Sequence, residues 1–159
     1  MGKRVLTAET TEGPYYKEGS PEQTELAQRG VPGENLELTG FVVDSDGRPV
    51  VGAWLDFWQA DGKGHYDNSG YTLRGHQFSG DSGQYKLSTV VPGSYPGRTP
   101  HIHVKVRSGD KGSTLTTQLF FPGLASNATD SIFRDDLLIG IRETTRGKSG
   151  TFDFVLDLG

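Results

Sequence analysis

His101-Ile102-His103-Val104-Lys105-Val106-Arg107 alternates without a break. Ile102, Val104 and Val106 fall on one side of an extended chain and His101, His103, Lys105 and Arg107 on the other, which is the pattern of a half-buried β-strand. Residues two apart in a strand project the same way and stand about 6.8 Å apart, so both imidazoles can lean toward one ion. The preceding stretch, Pro92-Gly93-Ser94-Tyr95-Pro96-Gly97-Arg98-Thr99-Pro100, is turn sequence that holds Tyr95 and Arg98 at the strand's entrance and not within a sheet.

The same alternation recurs along the chain. Residues 36–43 form a strand closed by Asp44-Ser45-Asp46-Gly47, a hairpin-type turn in which Gly47 takes positive φ at no steric cost. In 53–59, Ala53, Leu55 and Phe57 share one face while Trp54, Asp56 and Trp58 share the other. Two indoles on one face imply that loops cover it, because isolated sheets do not leave such surface in water. Further strands are expected over 85–90 and 114–121, and over 151–158, where Phe152, Phe154, Leu156 and Leu158 fall on one face. Residues 61–83 form a long excursion with short extended pieces, and 127–141 has room for a short helix beginning at Asp130. The expected fold is all-β, an antiparallel β-sandwich with long active-site loops and little helix. The chain reads as one domain over 1–159, an extended arm and loop over 1–34 followed by a sandwich core over 35–159.

Composition narrows the function. A net charge of −4 argues against a nucleic-acid binder that works through a basic patch. With no cysteine, disulfides, thiolate metal sites and cysteine nucleophiles are excluded, so any metal is held by nitrogen and oxygen. No apolar run approaches the about 20 residues of a membrane helix, and Met1-Gly2-Lys3-Arg4 lacks the apolar core of a secretion signal. The chain is expected to be soluble.

Taken alone, the histidine pair reads equally well as two imidazoles on a wetted sheet face or as two metal ligands. Of the four histidines, His65 and His76 fall in the loop excursion and are left out. Tyr66 and Tyr95 sit in glycine-rich loops, where a core tyrosine is unusual. A cupin-type metal site also uses a His-x-His strand, but it needs a nearby downstream acidic ligand, and here Val104, Lys105, Val106 and Arg107 follow.

A wider set of motifs resembles the intradiol ring-cleavage dioxygenases, the family of catechol and protocatechuate 3,4-dioxygenases. In the family's order they are Glu12-Gly13-Pro14-Tyr15-Tyr16, Gly47-Arg48-Pro49-Val50 with Gly52-Ala53, Trp58-Gln59-Ala60-Asp61 leading to Gly64 and Tyr66, and Arg74-Gly75. Pro92-Gly93 with Tyr95, Arg98, His101-Ile102-His103 and Thr117-Gln118-Leu119-Phe120-Phe121 complete the set. The resemblance implies that Tyr66, Tyr95, His101 and His103 ligate a non-haem Fe(III), with O2 as co-substrate. It further implies that Arg98 and Gln118 lie near the reacting substrate, that Tyr95 takes part in the chemistry, and that Pro14, Tyr15 and Tyr16 line the substrate pocket. The stretch between Tyr95 and His101 is shorter than in catechol or protocatechuate dioxygenases, which resembles the compact single-domain members, many of them secreted.

The implied donor set is chemically coherent. Ferric iron is a hard cation that prefers anionic oxygen, and two phenolates with two neutral imidazoles supply it. The expected partner is a small aromatic diol cleaved to a muconate-type diacid, with neither nucleic acid nor membrane involved and the oligomeric state left open. A fixed Arg98 guanidinium suits the stabilisation of negative charge on the ring, although by position alone it reads as a surface arginine after a turn. The alternative from another class is a non-enzymatic, transthyretin-like β-sandwich binding module, for which residues 38–62 would serve well and which needs neither the tyrosines nor His-x-His.

Overall fold

The structure, a computed structural model, describes residues 3–109 and 112–158. Met1 and Gly2 of the N-terminal tetrad, and the outer limits of the expected 1–159 domain, lie outside them. Nine strands are described: β1 (Asn35–Asp44), β2 (Trp54–Gln59), β3 (Arg74–Phe78), β4 (Gln84–Val90), β5 (His101–Arg107), β6 (Thr114–Phe120), β7 (Gly140–Thr144), β8 (Gly147–Thr151) and β9 (Phe154–Leu156). One sheet runs β4-β1-β8-β7 with β9 also on β1, and the other runs β3-β2-β5-β6. The two sheets enclose one apolar core in which Leu36, Leu38, Leu87 and Phe154 face Leu55, Phe57, Ile102, Val104 and Leu119.

The all-β sandwich agrees with the alternation in the sequence, and the differences are in connection. Most pairings are antiparallel, but β1 runs parallel to both β8 and β9. The expected final strand is broken after Thr151 because β1 changes neighbour there: a Cβ at Gly40 would lie 1.8 Å from Phe152 O, so only glycine lets the chain cross at that point. Asp44-Ser45-Asp46-Gly47 does turn, with Gly47 at φ +83° and Asp44 Oδ1 accepting from the N–H groups of Asp46 and Arg48. Beyond it the chain folds back antiparallel on β1 for a few residues, with Asp44 N donating to Arg48 O, Val50 N to Val42 O and a bridge between Val43 and Pro49, before β2 crosses to the other sheet and pairs with β3 and β5. The excursion after β2 contains a full strand, β3. No helix begins at Asp130, which instead ends a short 3₁₀ segment, Ala125–Thr129; a second, Asp135–Leu137, follows, and then the hairpin β7–β8.

Residues 3–34 carry no strand or helix beyond isolated bridges. The arm runs beside β6, where Thr10 N donates to Thr116 O, and ends against β3, where Gln23 N donates to His76 O. It therefore crosses the outer face of the four-stranded sheet, supplying the cover that the indoles required. Trp58 is 1% exposed beneath the Tyr16 ring, while the half-buried Trp54 lies under the Arg107 guanidinium. Among the described residues no helix is long and apolar enough to cross a membrane.

Candidate metal centre

β5 carries His101 and His103 on its outer face, opposite the core residues Ile102 and Val104. The Nδ1–H of His101 donates to Thr99 O at 2.7 Å, which leaves its Nε2 lone pair free to face outward. His103 Nε2 is 3.1 Å from that nitrogen. The His103 ring lies flat on Trp58, its cross-strand neighbour on β2, with centroids 4.7 Å apart and planes 9° apart.

Tyr66 and Tyr95 arrive on the loops that follow β2 and β4. These loops touch backbone to backbone: Gly93 N donates to Asp61 O at 2.8 Å, and a Cβ at Gly64 would lie 2.3 Å from Ser94 O. Glycine at position 64, at φ +86°, thus sets how near the two phenols can approach. Their oxygens lie 3.4 Å (Tyr66) and 3.2 Å (Tyr95) from His101 Nε2.

Two phenolic oxygens and two imidazole nitrogens from three segments of chain therefore crowd one point. Atoms bound at about 2.0–2.1 Å to a common ion stand roughly 3.0–3.4 Å from one another, so this spacing fits a single metal ion. Among the described residues no three His, Asp or Glu side chains gather to hold a metal, so this site exists only through its phenols. The protonation chemistry points the same way. Burial, with help from the Arg98 charge, pushes His101 down to about 4, and burial with His101 and Arg98 nearby holds His103 well below the usual imidazole range. Both imidazoles are thus neutral donors at neutral pH. Burial, then the neighbouring Tyr95, raises the Tyr66 phenol far above its usual range, so it ionises only against a compensating cation.

Arg98 and Gln118 complete the site. Gln118 sits on β6 in register with His103 and donates from Nε2 to Thr11 O of the arm at 2.9 Å. Its Oε1 accepts from Arg98 Nη2, and Arg98 Nη1 lies 3.4 Å from His101 Nε2. Of the arm residues, Tyr15 stacks on Tyr66 with centroids 4.2 Å apart and stands edge-on to Tyr95, whereas Tyr16 turns away to pack on Trp58 and donate to Asp56. Pro14 lines a separate surface cavity with Tyr15, Tyr16 and Arg74. His65 is exposed, and His76 donates to Ser20 O beneath the arm, so neither joins the cluster.

Two contributors had no role assigned from sequence. Arg74, seen there only as part of a motif, is 2% exposed and donates to the carbonyls of Tyr15 and Asp67, so it ties the arm to the Tyr66 loop. Asp130 grips Arg98 from the 3₁₀ region, where no local pattern marks an acidic residue as the partner of an arginine 32 positions earlier.

A family model described as "Dioxygenase" matches residues 11–158. The chain is 34% identical over 179 aligned positions to 6-chlorohydroxyquinol 1,2-dioxygenase of Cupriavidus pinatubonensis, covering 95% of this chain and 64% of that one. The protein belongs to the intradiol ring-cleavage dioxygenase family. Like the enzymes of that family with solved structures, this dioxygenase-family chain is a two-sheet sandwich. It is similar to the dioxygenase domain of a dioxygenase and carbohydrate-binding protein fusion from Streptomyces sp. SirexAA-E, at 48% identity and TM-score 0.94 over 98% of this chain and 100% of that one. It is also similar to 3-chlorocatechol 1,2-dioxygenase of Rhodococcus opacus 1CP, at 25% identity and TM-score 0.87 over 98% of this chain and 74% of that one. The chain spans about half to two thirds of the length of the curated relatives it matches. Family membership leaves the transthyretin-like module without support.

Proposed function

We propose that this protein holds non-haem Fe(III) through Tyr66, Tyr95, His101 and His103 and uses O2 to cleave a catechol-type diol between its two hydroxyl-bearing carbons. Both oxygen atoms enter the product, a muconate-type diacid. The observation that carries this reading is the convergence of two phenol oxygens and His103 Nε2 within 3.1–3.4 Å of His101 Nε2. When bound, ferric iron supplies a hard Lewis acid that favours a doubly deprotonated diol and draws electron density from its ring.

The surrounding residues divide the remaining work. Both phenols line surface cavities, but Tyr66 is stacked face to face under Tyr15 with centroids 4.2 Å apart, whereas Tyr95 meets Tyr15 only edge-on at 6.2 Å and shares a cavity of about 380 Å³ with Arg98, Ser126 and Thr129. Tyr95 is therefore the phenol free to shift and accept a substrate proton, and Tyr66 is the one that stays. The Arg98 guanidinium, fixed 3.4 Å from His101 Nε2, stabilises negative charge that builds on the ring during cleavage. Gln118 keeps Arg98 and the arm in register, and Trp58 holds the His103 ring at a fixed tilt.

The test is oxygen uptake by iron-loaded protein with a panel of catechols, with products identified by mass spectrometry and ultraviolet absorption. Muconate-type diacids and a reddish tyrosinate absorption band are expected. A colourless iron-treated protein, or a semialdehyde product from cleavage outside the diol, sinks the reading.

A further inference from the structure

The Arg98 guanidinium is held at two of its nitrogens, and one of the holders is a residue to which the sequence assigned no such role. Its Nε pairs with Asp130 Oδ2 at 2.9 Å, its Nη2 donates to Gln118, and only Nη1 is directed at the four donors. The Asp130 side chain is 1% exposed and that of Arg98 15%, so the pair is shielded from water. Asp130 is itself anchored, because Oδ2 also accepts from Thr99 N at 2.8 Å and Oδ1 from Ile132 N at 2.8 Å. Burial alone would raise this carboxyl, but the Ile132 and Thr99 N–H groups with the Arg98 guanidinium hold it below the usual carboxylate range. The same Thr99 presents its carbonyl to His101 Nδ1, so one short segment ties Asp130, Arg98 and a candidate metal ligand together.

The second consequence concerns charge. Elsewhere around the cluster, Arg74 is walled behind Tyr15 and spends its donors on backbone carbonyls, and Lys105 pairs with Glu12 at 2.7 Å beneath the arm. Among the described residues Arg98 is the one cation that lines the cavity beside Tyr95, and it is paired with the buried Asp130. A substrate carboxylate arriving there meets an occupied guanidinium with a buried carboxylate directly behind it.

We propose that Asp130 is the positioning residue for Arg98, and that the Asp130–Arg98 pair restricts the site to catechols without a ring carboxylate. This rests on the ring-cleavage reading above for its substrate half. The positioning half stands on geometry alone: a guanidinium held at Nε and Nη2 offers Nη1 in a single orientation, and losing the Nε anchor lets the side chain swing into the open cavity.

The experiment compares wild type with Asp130→Asn. In NMR of isotope-labelled arginine side chains, the Arg98 Nε–H signal is expected to be protected from exchange in wild type and unprotected in D130N, whether or not metal is bound. With iron, kcat is expected to fall about 10- to 100-fold with a smaller change in KM. The preference for plain catechol over a ring-carboxylated catechol is expected to weaken by about tenfold or more, because the freed cation then attracts the carboxylate. An unchanged Nε–H signal, or unchanged kcat and selectivity, overturns the inference. If D130N does not fold, Arg98→Lys leaves Asp130 its two backbone partners while removing the Nε contact, and wild-type turnover in R98K overturns it equally. A wild type that cleaves no diol defeats the ring-cleavage reading, and the arginine signal then judges Asp130 separately.

Discussion

The two sheets share a core and differ in what lies behind them. In the five-stranded sheet, β1 alternates buried and exposed positions almost perfectly, with its outer residues in water. In the four-stranded sheet, β2 is buried on both faces from Leu55 to Gln59, and β5 from His101 to Val104. The difference comes from the arm, which covers the outer face of one sheet and not the other. Covering a face that carries Asp56, Trp58, His101 and His103 takes their polar groups out of water: Asp56 accepts from Tyr16 and Ser20 of the arm and His101 donates to Thr99 O, while Trp58 Nε1 and His103 Nδ1 have no hydrogen-bond partner among the described residues. Chemistry gathers in the doubly buried sheet because its covered outer face holds several polar side chains in a water-poor setting.

Four substitutions or titrations put that contrast at risk. The largest effect is expected from His103→Ala, which removes one donor and should weaken metal retention by more than about 100-fold and abolish the tyrosinate band. Metal content and absorption check it, with Glu37→Ala on the exposed face of β1 as the paired control that should change neither. Next, Leu38→Ala in the core of the five-stranded sheet should cost about 2–5 kcal/mol in denaturant unfolding while the folded protein keeps its colour. If colour and stability fall together there, the two sheets are not functionally distinct.

Third is pH. His101 is held at about 4 in the folded, metal-free protein against 6.5 for a free imidazole, so the unfolded chain binds a proton there first. Stability is fully present above about 6.5 and is lost as pH falls toward about 4, by roughly 3 kcal/mol from this one group. Unfolding of metal-free protein across that window checks it, and His101→Gln should flatten the slope. The smallest effect belongs to Tyr16→Phe, which removes a 3.2 Å hydrogen bond to buried Asp56. Asp56 keeps Ser20 Oγ at 2.8 Å, so the loss is about 1 kcal/mol, read as faster hydrogen exchange along the arm.

Legibility followed the range of the interaction. The strands 36–43, 85–90 and 114–121 were visible because alternation is a property of neighbouring residues, and β1, β4 and β6 lie there to within a residue at each end. The indoles of β2 announced a cover but could not say that residues 8–26 provide it. Asp130 shows why local chemistry misleads. An aspartate before an apolar stretch is what a helix N-cap looks like, and Asp130 does accept from the N–H of Ile132 two residues on, but it turns its other oxygen to Thr99 and Arg98. The two uses are indistinguishable until the fold decides which donors are near. Likewise β7 and β8 are short and polar, and their pairing with each other and with β1 is a tertiary fact.

From the amino acids alone came the sandwich class, the turn after β1, the absence of thiol chemistry and the residue types able to make a nitrogen and oxygen site, because these depend on side-chain character and on spacing along one segment. The parallel partners of β1, the course of the arm, the clamp of Asp130 on Arg98 and the meeting of Tyr66, Tyr95, His101 and His103 at one point belong to the folded chain. Each joins groups that no local period connects, and only burial against a common core determines which of them become neighbours.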